Sequence, residues 1–550
     1  MSNFNIFKYL IVLIGLINLP TLVHAESPNW NINGKVVEKS SKRPLQAVNV
    51  GIKELDNLET ITDESGYFSI SLPGPGQYTV VASMFGVEKP YSKLVTLDDK
   101  KPIENVFLYL ATVTQLAEVV VNAERNPNRV GKNVMKGNEI RQIAGSSGDP
   151  LKALQSLPGV AGNTSGSAPA VRGSGPGDNF YYADSVPIGK LFHYGGLSVF
   201  NGDLIDSFNL YSAAFAPYYD NVTGAILDVA LRNPRTDRLG GKVNISLTGA
   251  DFLLEGPVNE NQSFYFAARR SYFDLLVKSV ERKGVTLQIP NYSDYQGKYI
   301  WNLNADNRLT FHLNGAADSL KLEVAGNSDV ALTQPDLAGT ISLQDSSATQ
   351  ALVWDNKLSV DANNKLIVGA RQSQAQNSIA AAGFVQVDTR SAFVREQIRF
   401  LSFENHDVTL SGNVNTDNVD LNLDFKNCQT SSFNNPCDLS SAPRVQLQDN
   451  IQALSWASSA QDRWQFAPHF TFIGGVRNST EDYLNKTYTE PRLGLEWELS
   501  EKTLFSAGWG KHNQMPARQQ IAKKFGNPNL DHIRADHSVI GVSHKVDDIW

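Results

Sequence analysis

The sequence predicts a mainly β protein, with a small β-sandwich near the N-terminus and a transmembrane β-barrel in the second half. Three observations predict it. Apolar and polar residues alternate with period two from about residue 240 onward. Short strand-like runs between Gly, Pro and Asp turns fill residues 29–110. An export signal precedes both. With 550 residues the chain exceeds one ordinary domain. A composition 41% hydrophobic and 19% charged is that of folded rather than disordered protein. The mean hydropathy of −0.26 excludes a polytopic helical membrane protein but not a barrel, whose strands are only half apolar. A net charge of −7 leaves no basic footprint for nucleic acid.

Residues 1–25 carry the three parts of a secretory signal. Lys8 supplies positive charge, Tyr9 to Leu19 is an apolar run, and Val23-His24-Ala25 precedes the expected cut. The run is too short for a hydrocarbon layer of about 30 Å, and no later run reaches spanning length.

Residues 26–112 follow as the sandwich. Ile32 to Val37, Ala47 to Ile52, Tyr67 to Leu72 and Tyr78 to Ser83 read as strands. Asp63-Glu64-Ser65-Gly66 and Pro73-Gly74-Pro75-Gly76 read as turns. About seven strands are expected. The segment resembles the carboxypeptidase regulatory-like domain through Gly34-Lys35-Val36, Pro44-Leu45 with Val48-Asn49-Val50, Asp63 to Phe68, and Gly76-Gln77-Tyr78-Thr79-Val80. That domain is an accessory. No His-x-x-Glu pair occurs in the chain, so no peptidase zinc site in that form is expected.

Residues 113–126 form a linker. Its Val119-Val120-Val121 run is a strong β-former. It reads either as the last strand of the sandwich or as a strand able to add to the edge of a partner's sheet. Residues 127–235 then hold 15 glycines and many polar turns. Asp149 to Leu157, with Leu151, Leu154 and Leu157 three apart, reads as a short helix. Gly173-Ser174-Gly175-Pro176-Gly177 lacks the Gly-Lys-Ser/Thr ending of a phosphate loop. No Gly-x-Ser-x-Gly elbow is present.

A series of landmarks in this region is similar to the plug domain of a TonB-dependent outer-membrane receptor. Leu154 to Val160 comes first, followed by Val171-Arg172-Gly173 and Asp178 to Ile188. His193-Tyr194-Gly195-Gly196, Ala216-Pro217-Tyr218-Tyr219 and Gly224 to Val229 complete it. Two positions depart from the family pattern: Ser185 stands where Gly usually follows Asp, and Asp220 where Gly usually follows Tyr. The resemblance implies a mainly β fold with a plug inside a transmembrane β-barrel. It places the chain in the outer membrane of a Gram-negative bacterium, with the N-terminal domain in the periplasm. The implied function is energised uptake of a scarce ligand (siderophore, cofactor, glycan or peptide). The implied partners are TonB with ExbB and ExbD, and outer-membrane lipid. Glu118, Val119, Val120, Val121, Asn122 and Ala123 become the candidate TonB box. Asp178, Tyr181, Tyr182, Asp184 and His193 become candidate ligand residues on plug loops, or hydrogen-bonding partners of the wall.

Residues 236–550 alternate as a barrel wall does. Val243, Ile245 and Leu247 set the pattern; Leu309, Phe311 and Leu313 repeat it, as do Leu493, Leu495, Trp497 and Leu499. Alternation alone also fits a soluble sandwich. The export signal, the plug and strand aromatics such as Trp301, Trp354, Trp456, Trp497 and Trp509 favour the barrel. The family's barrel has 22 strands. Here roughly 13 or 14 are legible, with long loops expected near 317–345 and 417–443, so the barrel is read as partial. Cys428 and Cys437, in a polar loop of an exported chain, are expected to form a disulfide. His532, His537 and His544 are spaced by five and seven, which does not make a metal set. No nucleophile, carboxylate pair or cofactor motif points to an enzyme. A non-transporting surface binder on the same barrel is the competing reading.

Overall fold

The computed structural model describes residues 30–38, 44–55, 58–84, 90–98, 102–110, 130–136, 149, 151–152, 154, 157–162, 169–246, 249–401, 403, 405–426, 441–500, 502–524, 526–544 and 546. The signal segment, Glu118 to Ala123, and Cys428 with Cys437 lie outside the described residues. Two compact units divide the chain, Met1–Asn126 and Pro127–Trp550.

The first unit has seven strands: β1 (Trp30–Glu38), β2 (Asn49–Ile52), β3 (Glu59–Ile61), β4 (Tyr67–Leu72), β5 (Gly76–Ser83), β6 (Tyr91–Leu97) and β7 (Ile103–Leu110). They form two sheets, ordered β4-β1-β7 and β3-β2-β5-β6. Period-two alternation builds the core: Phe68, Ile70 and Leu72 point inward while Tyr67, Ser69 and Ser71 face out. The Asp63–Gly66 turn is held by the Asp63 carboxylate, which accepts from the Ser65 and Tyr67 amides at 2.9 and 2.8 Å. Gly66 takes a φ of 76° there. Gly34 is needed for another reason: a Cβ on it would lie 2.4 Å from the Phe68 ring and 2.7 Å from the Val106 carbonyl.

The second unit begins with a small mixed sheet and a two-strand pair. Its strands are β8 (Lys132–Lys136), β9 (Val160–Ala161), β10 (Ala170–Val171), β11 (Phe180–Ala183), β12 (Val186–Pro187), β13 (Ile205–Tyr211) and β14 (Ile226–Leu231). The sheet runs β12-β11-β14-β13-β8, and β9 pairs β10. Leu151 and Leu154, from the expected helix, are buried in the core below it with Phe200, Phe208 and Val229. The β11–β12 turn carries Asp184 and Ser185 at φ 51° and 67°. Both are left-handed, as a two-residue hairpin turn requires, although neither is glycine.

The rest is one large antiparallel wall. It comprises β15 (Gly240–Ile245), β16 (Gly249–Asn259), β17 (Gln262–Ser271), β18 (Ser279–Arg282), β19 (Val285–Asn304), β20 (Asn307–Val324), β21 (Gly339–Ser359), β22 (Ala362–Ile379), β23 (Gly383–Phe400), β24 (His406–Lys426), β25 (Arg444–Ala467), β26 (Phe470–Glu481), β27 (Lys486–Ser500), β28 (Thr503–Gln514) and β29 (Ile533–His544). All but β18, which pairs β19 alone, follow one another as neighbours. Among the described residues, β15 and β29 each have one neighbour, so the wall is open. It nevertheless wraps the small sheet, whose residues bond to strands from β16 to β29. The outward face is apolar: Phe311, Leu352, Val368, Leu410, Leu493 and Leu495 are exposed. Trp301, Trp354, Trp464 and Trp497 stand near one rim, and Phe470, Trp497 and Phe505 stack in a row there.

The expected loops at 317–345 and 417–443 are corrected. Pairing continues through Ala317↔Ser346 to Val324↔Gly339, and through Asp417↔Ala453 to Lys426↔Arg444. These strand ends rise past the apolar band, and there the apolar side changes face: Leu410 and Val414 are exposed, whereas Val419, Leu421 and Leu423 are buried inside. The alternation that reveals a strand breaks phase at that point, while the backbone ladder runs on. Connections at the other rim are as short as the two residues 305–306 and 360–361; at this rim they extend to 325–338 and 515–532.

Gly34→Ala should destabilise the first unit by about 1–3 kcal/mol through overpacking against Phe68. Denaturant unfolding monitored by amide exchange in β1, β4 and β7 measures it, and unchanged protection would refute the close approach.

Candidate functional site

The inner face of the wall is rich in charge, and the small sheet and its loops meet it at several places, among them four centred on charged side chains. The first is around His193, which is fully buried. Its Nδ1 lies 3.0 Å from Asp318 and its Nε2 3.1 Å from Asp294. A neutral imidazole donates from one nitrogen only, so two carboxylates favour the charged ring. Burial opposes that charge, but the hydrogen bonds to Asp294 and Asp318 outweigh it and hold His193 above its usual range. Lys190 reaches Asp318 at 2.5 Å and Asp345 at 2.7 Å. Arg269 bonds Asp294 at 2.7 Å and also donates to the Ser198 carbonyl.

The second place is Asp184, whose carboxylate lies 2.9 Å from Lys298 of β19. Lys298 also donates to the Leu231 carbonyl at 2.7 Å. Asp228 is buried behind this turn and accepts only weakly from the Ser185 amide, at 3.2 Å. Burial therefore pushes its carboxyl up to about 6; the Ser185 amide opposes the rise and the charge of Asp184 adds to it.

The third place is the tip formed by Ala216 to Asn221. Asp220 accepts from Arg395 at 3.1 Å, from Asn413 at 2.8 Å and from Arg477 at 3.2 Å. Burial opposes the charge on Asp220, but the two guanidinium groups hold its carboxyl below the ordinary range. Arg395 also donates to the Tyr218 carbonyl, and Arg477 to the Pro217 carbonyl. Fourth, Arg492 donates to the carbonyls of Phe215, Ala216 and Tyr219. Asp220 is thus a central fastening, at one of the two positions where the chain departs from the plug pattern.

Above this tip, toward the rim with the longer connections, lies a partly open cavity of about 110 Å³. Phe180, Pro187, Asp220 and Asn221 of the small sheet and its tip form its floor. Its walls come from β22 to β26, with Arg371, Ser391, Arg395, Asn415 and Glu481 among them. Arg518 and Met515, from the connection after β28, reach in from above. Arg518 bonds Asp417 at 2.8 Å and Glu481 at 3.4 Å.

None of the five ligand candidates lines this cavity, nor do they converge elsewhere. Asp178 closes its own short turn by accepting from the Gly175 amide at 2.7 Å. Tyr181 packs on the core, where burial pushes its phenol up to about 12. Tyr182 is fully buried beneath the Arg395 guanidinium, 5.3 Å from its ring. Asp184 and His193 fasten to the wall as described. Most cavity residues carry no local signal, because their shared address depends on strand register. The deviant Asp220 and the landmark from Asp178 to Ile188, which holds Phe180 and Pro187, point to the floor. His532 lines the cavity, while His537 bonds Thr223 and His544 bonds Thr503. Among the described residues no group of three His, Cys, Asp or Glu side chains could hold a metal.

Comparison with known proteins gives two family matches. Residues 32–121 match the CarboxypepD_reg-like domain, and residues 166–548 match the TonB dependent receptor-like, beta-barrel model. No curated protein matches. Among solved structures, a mutant of the ferric enterobactin receptor PfeA from Pseudomonas aeruginosa is similar at 15% identity. The match covers 76% of this chain and 70% of that one, with a TM-score of 0.56. The siderophore receptor PirA from Pseudomonas aeruginosa is similar at 16% identity over 76% and 72%, with a TM-score of 0.52. The outer membrane transporter YddB from Escherichia coli is similar at 11% identity over 76% and 67%, with a TM-score of 0.56. At these identities the likeness speaks for the fold.

Two substitutions probe the fastenings. Asp220→Ala leaves Arg395 and Arg477 buried without their shared carboxylate and should cost about 3–5 kcal/mol. Faster amide exchange across residues 215–226 reads it out; unaltered exchange would show the pair is not holding the tip. Asp228 has a folded pKa above its unfolded value. Its contribution is therefore most favourable below about pH 4 and is lost as pH rises to about 6. Asp228→Asn should stabilise by about 1–2 kcal/mol at pH 7.5 and do little at pH 4. Thermal unfolding in detergent at both values separates this from a pH-independent effect.

Proposed function

The chain belongs to the TonB dependent receptor-like β-barrel family, and on that premise we propose how it works as an outer-membrane receptor for TonB-dependent uptake of a ligand. The observation that carries the proposal is the cavity whose floor is the small sheet itself. A ligand resting on Asp220 and Asn221 sits directly on the element that obstructs the lumen. Outer-membrane barrels keep their short turns on the periplasmic side and their longer loops outside. That rule puts the cavity on the outer side and the 305–306 and 360–361 turns on the inner side.

The sheet spanned by β8 to β14 is bonded to the wall on many sides, so ligand passage requires that it rearrange. We assign that work to TonB, energised by ExbB and ExbD, acting on residues 118–123 from the periplasm. Val119 to Val121 suits this role because an extended run of β-branched residues can pair through its backbone with a partner's strand. The carboxypeptidase regulatory-like domain then lies in the periplasm ahead of this segment, and outer-membrane lipid covers the exposed apolar band. The solved neighbours include receptors named for siderophores; siderophores, cofactors, glycans and peptides are the ligand classes for this chain.

Deletion of residues 118–123 should abolish capture of the purified, detergent-solubilised chain by the periplasmic part of TonB, while thermal unfolding of the barrel stays unchanged. Undiminished capture by the deleted chain would remove this segment from the mechanism.

A further inference from the structure

We propose that the cavity binds a hydroxylated ligand carrying one anionic group, a carboxylate or a phosphate, with that group seated on Arg371. The proposal rests on reading the cavity as the receptor's ligand chamber and names the class of ligand it takes.

Four arginines and three carboxylates line the cavity. The carboxylates are all engaged. Asp220 is shared by Arg395 and Arg477. Asp417 accepts from Arg518 at 2.8 Å and from the Ser391 hydroxyl at 2.7 Å. Glu481 accepts from Arg518 and from the amides of Tyr483 and Leu484. Among the described residues, Arg371 is the one cavity arginine with neither hydrogen bond nor ion pair. It is half-buried on β22, opposite Ser391 and one strand farther from Asp417. It therefore stands above the Asp220 fastening, where an incoming ligand meets it first.

A guanidinium half-removed from water with no carboxylate bonded to it gains most from a carboxylate or a phosphate, which it grips through paired N–H groups. The count of charges leaves room for one anion. His532 adds no positive charge, because burial pushes its imidazole down to about 4. The remaining polar lining is neutral: Asn415, Ser455 and Ser479 offer amide and hydroxyl groups, which suit a ligand bearing hydroxyls.

The test is isothermal titration of the purified full-length chain in detergent with four probes: gluconate, glucose 6-phosphate, sorbitol and glucosamine. At least one of the two anions should bind, and at least tenfold more tightly than neutral sorbitol or cationic glucosamine. Which anion binds tells carboxylate from phosphate. Arg371→Gln should weaken that binding at least tenfold, and Arg371→Lys should keep most of it. The proposal is overturned if sorbitol binds as well as the anions, if Arg371→Gln leaves anion affinity unchanged, or if neither anion binds at millimolar concentration. TonB capture by the same preparation reports on uptake separately, so either reading can fail alone.

Discussion

A buried guanidinium group cannot remain without acceptors, and the lumen of this wall contains several. Arg395, Arg477 and Arg492 are all nearly fully enclosed. An unpaired charge in such a place costs several kcal/mol. The tip between Phe215 and Asn221 answers that demand with one carboxylate and five backbone carbonyls. The wall therefore depends on the small sheet as much as the small sheet depends on the wall. An empty cylinder with this inner face would have to fill with water or refold its side chains.

The outer face obeys the opposite rule. Leucine, valine and phenylalanine side chains stand exposed along successive strands. A band of this extent in water would be an aggregation surface. Hydrocarbon removes that problem and creates another, because every backbone amide must then be paired within the protein. Unbroken ladders of up to 21 paired positions, as between β24 and β25, meet the requirement between the two outer edges at β15 and β29. One physical division, polar within and apolar without, thus accounts for both the alternation and the lumen filling.

That division also explains what could be read beforehand. Roughly 13 or 14 wall strands and about seven sandwich strands are legible from alternation and turns, since both signals are local, against fourteen sequential wall strands and seven sandwich strands in the structure. The family landmarks around Leu154, Asp178 and Gly224 led to the small sheet for the same reason. Strand ends beyond the lipid band read as loops, because the apolar side changes face there, as between exposed Val414 and buried Val419, and the phase break interrupts the alternation. The site was harder still. Asp220 meets Arg395 across 175 positions of sequence, and Arg492 meets Phe215 across 277. No local pattern encodes such pairs; only the accumulated register of the strands between them does. His193 was selected for its landmark motif, whereas its setting between Asp294 and Asp318 came from register alone.

The order of strands in the small sheet has a mechanical consequence. Among the described residues strand β8 is an edge, paired to β13 through five residue positions, and within the small sheet it is the strand closest in sequence to the N-terminal linker. Tension arriving along the backbone from that direction loads the Val130 packing and the Gly131–Ser212 bonds first and then β8. The Asp220 and His193 fastenings stand behind it in series, on segments reached only after β8 has parted from β13. Such a chain of links yields one after another at modest force, where the same bonds strained together would have to break at once.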